Sequence, residues 1–202
     1  MPYLRGMTLI YANPDNHVEK RAGLSPLLRK SLFELPREKW QRHPGFGGEA
    51  QFWTQIHDGL LSASATLSAW SAQLLEANET GAQQALMPQI HGLGRQLIHH
   101  AHQHHHIEDD YFFPAFLKTW PQLKNPLDLL DNDHKVLAEV LDSLEQAVAG
   151  INLSPQASER QKRDLRLSDA EKLHLAAKRL DTLFIRHIGD EEEICIPAML
   201  QD

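Results

Sequence analysis

Two segments of the chain repeat one chemical pattern. His104 is followed by Glu108 and Pro114, and His187 by Glu191 and Pro197, each member of the second set lying 83 residues after its counterpart. On a helix turning about 100° per residue, a spacing of four puts an imidazole and a carboxylate on one face, one turn apart. Such a pair can aim a ring nitrogen and carboxylate oxygens at the same ion. The proline follows the ligand turn, where its missing N–H and its ring are expected to kink or end the helix. Histidines number 13, six of them between His99 and His106, an enrichment that invites a metal reading.

Each pair is preceded by a helix with a lone histidine in its apolar seam. His57 comes 47 residues before His104, and His134 comes 53 before His187. The sequence therefore reads as two helical hairpins of similar design, each giving His, then His-x-x-x-Glu. His57 lies near the start of its helix and His104 near the end of the next, so antiparallel packing brings them level; the same holds for His134 and His187. Four histidines and two glutamates then converge at one end of a bundle. One metal with six protein ligands would be closed. Two metals bridged by Glu108 and Glu191 would each receive two histidines and two carboxylate oxygens, leaving an open position. Mixed imidazole and carboxylate ligation suits iron or manganese, whereas structural zinc usually takes cysteine and tetrahedral closure.

The elements that must carry these residues are helices. Trp53, His57, Leu60, Ser64, Leu67, Ser71 and Leu74 fall on alternating steps of three and four, predicting a helix from about 49 to Asn78-Glu79-Thr80-Gly81. A second is predicted from about 84 to 112 through Leu97, His100, His104, Glu108 and Tyr111, before Trp120-Pro121 and Asn125-Pro126 break the chain. The third, about 127 to 149, has the stripe Leu130, His134, Leu137, Leu141, Leu144 and Val148, and ends at Gly150. After a polar loop (Ser154 to Glu159), Ser168-Asp169-Ala170-Glu171 reads as a capping box for a fourth helix carrying Leu173, Leu180, Phe184, His187 and Glu191. Residues 1–46, rich in proline and glycine, read as an irregular extension with one short helix after Ser25-Pro26. The expected fold is all-α: an antiparallel up-down four-helix bundle over 47–202 with that N-terminal extension.

Composition narrows the function. At 202 residues, 42% hydrophobic and 23% charged, the chain suits one globular domain with a real core. A net charge of −7 disfavours a general nucleic-acid binder. No apolar run is long enough to span a membrane, the first residues lack the apolar segment of a secretory signal, and the one cysteine excludes an internal disulfide framework. A cytoplasmic location is the expectation.

The order His57, His104-x-x-x-Glu108, His134, His187-x-x-x-Glu191 resembles the hemerythrin-like (HHE cation-binding) family over about 50–200. The resemblance implies a cofactor of two non-haem iron ions, oxo- or hydroxo-bridged, held by His57, His104, Glu108, His134, His187 and Glu191. It implies a protein that binds or senses dioxygen, nitric oxide or iron, with a small diatomic ligand as partner. The alternatives are a di-iron oxidase, peroxidase or iron–sulfur repair enzyme, or a structural metal-binding bundle; a protein partner or homodimer fits any of these. The family's oxygen carriers have another ligand four residues after the helix-three histidine, a position that is Ala138 here, and its repair proteins have an added cysteine-bearing N-terminal domain, which this sequence lacks.

Other residues have plainer readings. A lone histidine in a helix seam is more often a satisfied core residue than a ligand, and only the six-residue constellation reverses that for His57 and His134. His100, one turn before His104, is expected in the same seam as an outer partner or gate. His99, His102, His105 and His106 are expected to face solvent, and Asp109, Asp110, Glu192 and Glu193 to be exposed helix-end charge. His91 and His174 read as surface, Trp53 and Trp70 as core, and Cys195 as a packing residue.

Overall fold

Helical stripes are expected to become buried faces, and for three of the four long helices every residue of the predicted stripe is buried. In a computed structural model, which describes residues 9–77, 80–151 and 159–201, the long helices are α3 (Glu49–Glu76), α4 (Thr80–Ile107), α6 (Lys124–Gly150) and α7 (Glu159–Met199). Shorter ones are α1 (Pro26–Arg29), α2 (Arg37–Trp40) and α5 (Phe113–Thr119). No strand occurs among the described residues. Ser25 caps α1 as its sequence suggests, its hydroxyl accepting from the Leu28 N–H at 3.3 Å.

The second stripe is the exception. Along α4 and the turn that follows it the buried face runs through Ile90, Leu97, Ala101, His105 and Glu108, while His100 is exposed and Tyr111 is 70% exposed. The predicted line through 100, 104 and 111 is therefore displaced from the real one. Part of the cause is a π turn at Glu108–Phe112, closed by the Phe113 N–H on the Glu108 carbonyl. A π turn inserts one residue into the helical register, so Phe112, not Tyr111, turns inward onto Trp53, with ring centroids 4.3 Å apart. Pro114 explains its place: in an α-helix its ring would collide with the Asp110 carbonyl and leave that carbonyl without a donor.

Neither proline of the repeated motif ends its helix. Pro114 enters the first turn of α5, and α7 continues through Pro197. The break at Trp120 is real, but Pro126 falls inside the first turn of α6. The proposed capping box is not a helix start, since α7 begins at Glu159 and Ser168 lies within it. Residues 78–79, where the first helix was expected to end, and 152–158, most of the expected polar loop, lie outside the described residues.

The chain divides into two compact units that share the long helices. The first comprises residues 1–59, 104–136 and 183–202. Within it, one apolar cluster joins Leu24 and Leu28 to Phe113, Leu123, Leu127, Leu130, Ile194 and Cys195, and another joins Trp40, Ala50 and Trp53 to Ile196 and Leu200. Full burial of a leucine or phenylalanine is worth about 1.5–3 kcal/mol, which makes these contacts the anchor of residues 9–46. The second unit comprises 60–103 and 137–182. Its interior is leucine-rich, with Leu67, Leu97, Leu137, Leu141, Leu144, Leu173 and Leu180 at 2% exposure or less. There Gly94 permits a close helix approach, because a Cβ would sit 2.9 Å from Val148 Cγ2. Ser64 donates to Asp181, and Ser71 bonds the half-buried His174, which is less exposed than its sequence reading.

Candidate metal centre

All six residues of the sequence constellation fall in the first unit and come together there. His57, Glu108, His187 and Glu191 are at 1% exposure or less and His134 at 5%. The helices deliver them by register: His57 and His134 sit in intact buried stripes, and each glutamate follows its histidine by one turn.

The rings point their Nε2 atoms inward. His57 Nε2 and His104 Nε2 are 3.2 Å apart, and so are His134 Nε2 and His187 Nε2. The glutamates lie between these pairs. Glu108 offers Oε1 to His104 Nε2 at 2.9 Å and Oε2 to His134 Nε2 at 3.3 Å. Glu191 offers Oε1 to His57 Nε2 at 3.3 Å and Oε2 to His187 Nε2 at 3.7 Å. Each carboxylate thus spans both histidine pairs. The outward Nδ1 atoms meet other carboxylates: His57 meets Glu192 at 3.0 Å, His134 meets Asp109 at 2.8 Å, and His187 meets Asp133 at 3.2 Å. A carboxylate accepting from Nδ1–H fixes the tautomer whose Nε2 lone pair is free to ligate.

Three buried oxygens in this cluster, both of Glu108 and Oε2 of Glu191, accept no hydrogen bond. An ionised carboxylate with orphaned oxygens away from water is costly unless a cation meets it. The imidazole lone pairs face those same oxygens, so the donor set fits a cation between them. Titration agrees. Burial opposes charge on His57 and His134, yet Glu191 and Glu192 around the first, and Asp109 and Glu108 around the second, raise both to about 10. Burial likewise opposes ionisation of Glu108, but His104 and His134 hold it well below the usual carboxylate range. The cluster demands positive charge.

The family model described as the hemerythrin HHE cation-binding domain matches residues 49–199. The chain belongs to that family. Comparison with curated proteins, and with solved structures, returned no match. Membership in the hemerythrin HHE family makes this a metal-binding chain, with iron the typical metal, and two residue groups of this HHE domain are composed to hold ions: His57, His104, Glu108 and Glu191, and His105, His134 and His187, with ligand atoms within 4.8 Å of one another in each.

His105 is the residue the sequence reading misplaced. Expected to face solvent, it is 7% exposed, stacked on His134 at 4.3 Å between centroids and 17° between planes. Burial, with His134 and His187 beside it, pushes its pKa well below the usual value, so the ring is neutral. Glu192, read as exposed, is 5% exposed and holds His57; Asp109 is exposed as expected but also holds His134. Trp53 is core as expected and also donates its indole N–H to Glu191 Oε1 at 2.6 Å. His99, His102 and His106 are exposed as expected, and Cys195 is fully buried. Asp133, Asp190 and Arg21, which no sequence argument singled out, form a buried ion-pair network beside His187. Its only local signal is the carboxylate immediately before His134.

Proposed function

We propose that this hemerythrin HHE protein holds two non-haem iron ions and uses an open coordination position to bind or sense dioxygen, nitric oxide or iron. The observation that carries the reading is the set of three orphaned carboxylate oxygens spanning two imidazole pairs. His57 and His104 serve one ion and His134 and His187 the other, with His105 added to the second; Glu108 and Glu191 bridge. Iron supplies one-electron chemistry and affinity for diatomic ligands. The protein's part is to keep the rings in one tautomer, to balance charge and to exclude bulk water from a cluster whose carboxylates are almost wholly buried. The same proposal includes an up-down antiparallel order of the four long helices, an extension over residues 1–46 and a cytoplasmic setting. Among the described residues no helix is long and apolar enough to cross a membrane.

Iron reconstitution followed by metal analysis and an optical spectrum tests it. Two ions per chain are expected, with near-ultraviolet absorption from the ferric pair and a spectral change when nitric oxide meets the reduced protein. A single tight ion with no second site would refute the two-metal reading.

A further inference from the structure

The region matched to the HHE family starts at residue 49, yet two arginines that precede it reach the carboxylates behind the histidines. Arg21 lies on Asp133, which accepts from His187 Nδ1; Arg37 lies on Glu192, which accepts from His57 Nδ1. The two sites differ in depth. The Arg21 side chain is 1% exposed and also donates from Nε to Asp190 at 2.7 Å, while Tyr11 donates its hydroxyl to Asp133 at 2.7 Å. The Arg37 side chain is 58% exposed and rests over the Trp40 ring. His134 differs: its carboxylate, Asp109, is reached by solvent and carries no arginine among the ion pairs of the described residues.

We propose that the N-terminal extension is a working part of the metal centre, with Arg21 and Arg37 acting as positioning residues that raise the redox potential of the iron held by His187 and His57. This rests on the two-iron reading above. A carboxylate on Nδ1–H draws the proton toward itself and makes the imidazole a stronger donor, which favours ferric over ferrous iron. An arginine on that carboxylate withdraws its electron density, so the histidine donates less and the ferrous state gains. Hydrogen bonding and local charge around the ligands are recognised levers on metal potentials. One element, the extension, thereby bears on both imidazole pairs from outside the helical region matched to the family.

Arg37 gives the clean test, because its own side chain is 58% exposed, so its loss opens no hole in the core, and Glu192 keeps His57 as a partner. The full chain, loaded with iron, is titrated in the presence of mediators, the electron passing between iron and the mediator, and the midpoint is read optically. Arg37→Gln is expected to keep its metal and to shift the one-electron equilibrium about tenfold toward ferric, a fall of about 59 mV. Arg37→Lys, retaining the charge, should recover most of the shift. Arg29→Gln is the control, since Arg29 pairs with Glu193, which bonds no histidine, and it should leave the midpoint in place. In the zinc-loaded protein the His57 Nδ1 proton should move downfield in Arg37→Gln and stay put in Arg29→Gln. An unchanged midpoint in Arg37→Gln, or equal shifts in the Arg37 and Arg29 variants, overturns the inference while leaving the two-iron centre standing. Failure of the unaltered chain to take up iron overturns both.

Discussion

At the scale of single residues, His105 and His100 exchange the roles their positions suggested. His105 brings a neutral ring against His134 and into reach of His187, whereas His100 is exposed. His105→Leu is therefore expected to keep its helix content and lose affinity for the second ion by more than the roughly 10–100-fold typical of losing an outer partner. His100→Leu should bind metal as the unaltered chain does. Metal content after dialysis against a graded chelator checks both, and equal retention in the two variants would remove His105 from the ligand set. The six residues proposed as ligands, and their convergence, were legible because a spacing of four on a helix is a local, repeated signal. Arg21 was not: its carboxylate partners are 112 and 169 residues away, and no periodicity marks a side chain that enters from a loop.

Among the elements, α3, α6 and α7 follow their apolar stripes, and the departure is confined to the end of α4. Periodicity assumes a constant 3.6 residues per turn, an assumption that fails at the π turn before Pro114 and accounts for the departure from Glu108 onward. That turn also sets Phe113 against His134, with centroids 5.6 Å apart. Deleting Asp110 would return the segment to α register and swing Phe112 and Phe113 by about 100°. The expected result is a helix content close to the original, a lower melting temperature and weaker metal retention, read by circular dichroism and metal analysis on the same sample. Full metal retention would show that the π turn does not help to place Glu108. The capping box failed for a related reason: Ser-x-x-Glu is also tolerated on the surface of a continuing helix, and only the chain before it decides.

For the molecule as a whole, the charge requirement of the centre becomes a dependence of stability on pH. His57 and His134 in the metal-free protein titrate near 10 rather than 6.5, so the stability they contribute is fully present below about 6.5 and is lost as pH rises through about 10. Glu108 works oppositely, contributing above 4.5 and losing that contribution as pH falls toward its depressed value. Chelator-stripped protein should therefore be most resistant to urea between about pH 4.5 and 6.5. On the proposed two-iron reading the metal would take the place of protons on those nitrogens, so the loaded protein should hold its stability above pH 7, and loading should release protons and weaken in acid. Urea midpoints across pH for the two forms check this, and parallel profiles would contradict it.

The chain's one thiol sits in the same unit. Cys195 is wholly buried among Ile194, Leu130 and Phe113, and burial, reinforced by Glu191 and Glu108, pushes its pKa well above the usual value. It is chemically silent while the fold is closed, since alkylation needs an exposed thiolate. Each labelling event consequently counts one opening of this half of the chain. Any ligand that binds only the closed form slows labelling by the factor of one plus its free concentration over its Kd. The protein thus carries a native stopwatch, and metal affinity can be timed through it in dilute or coloured mixtures where no iron absorption band is visible.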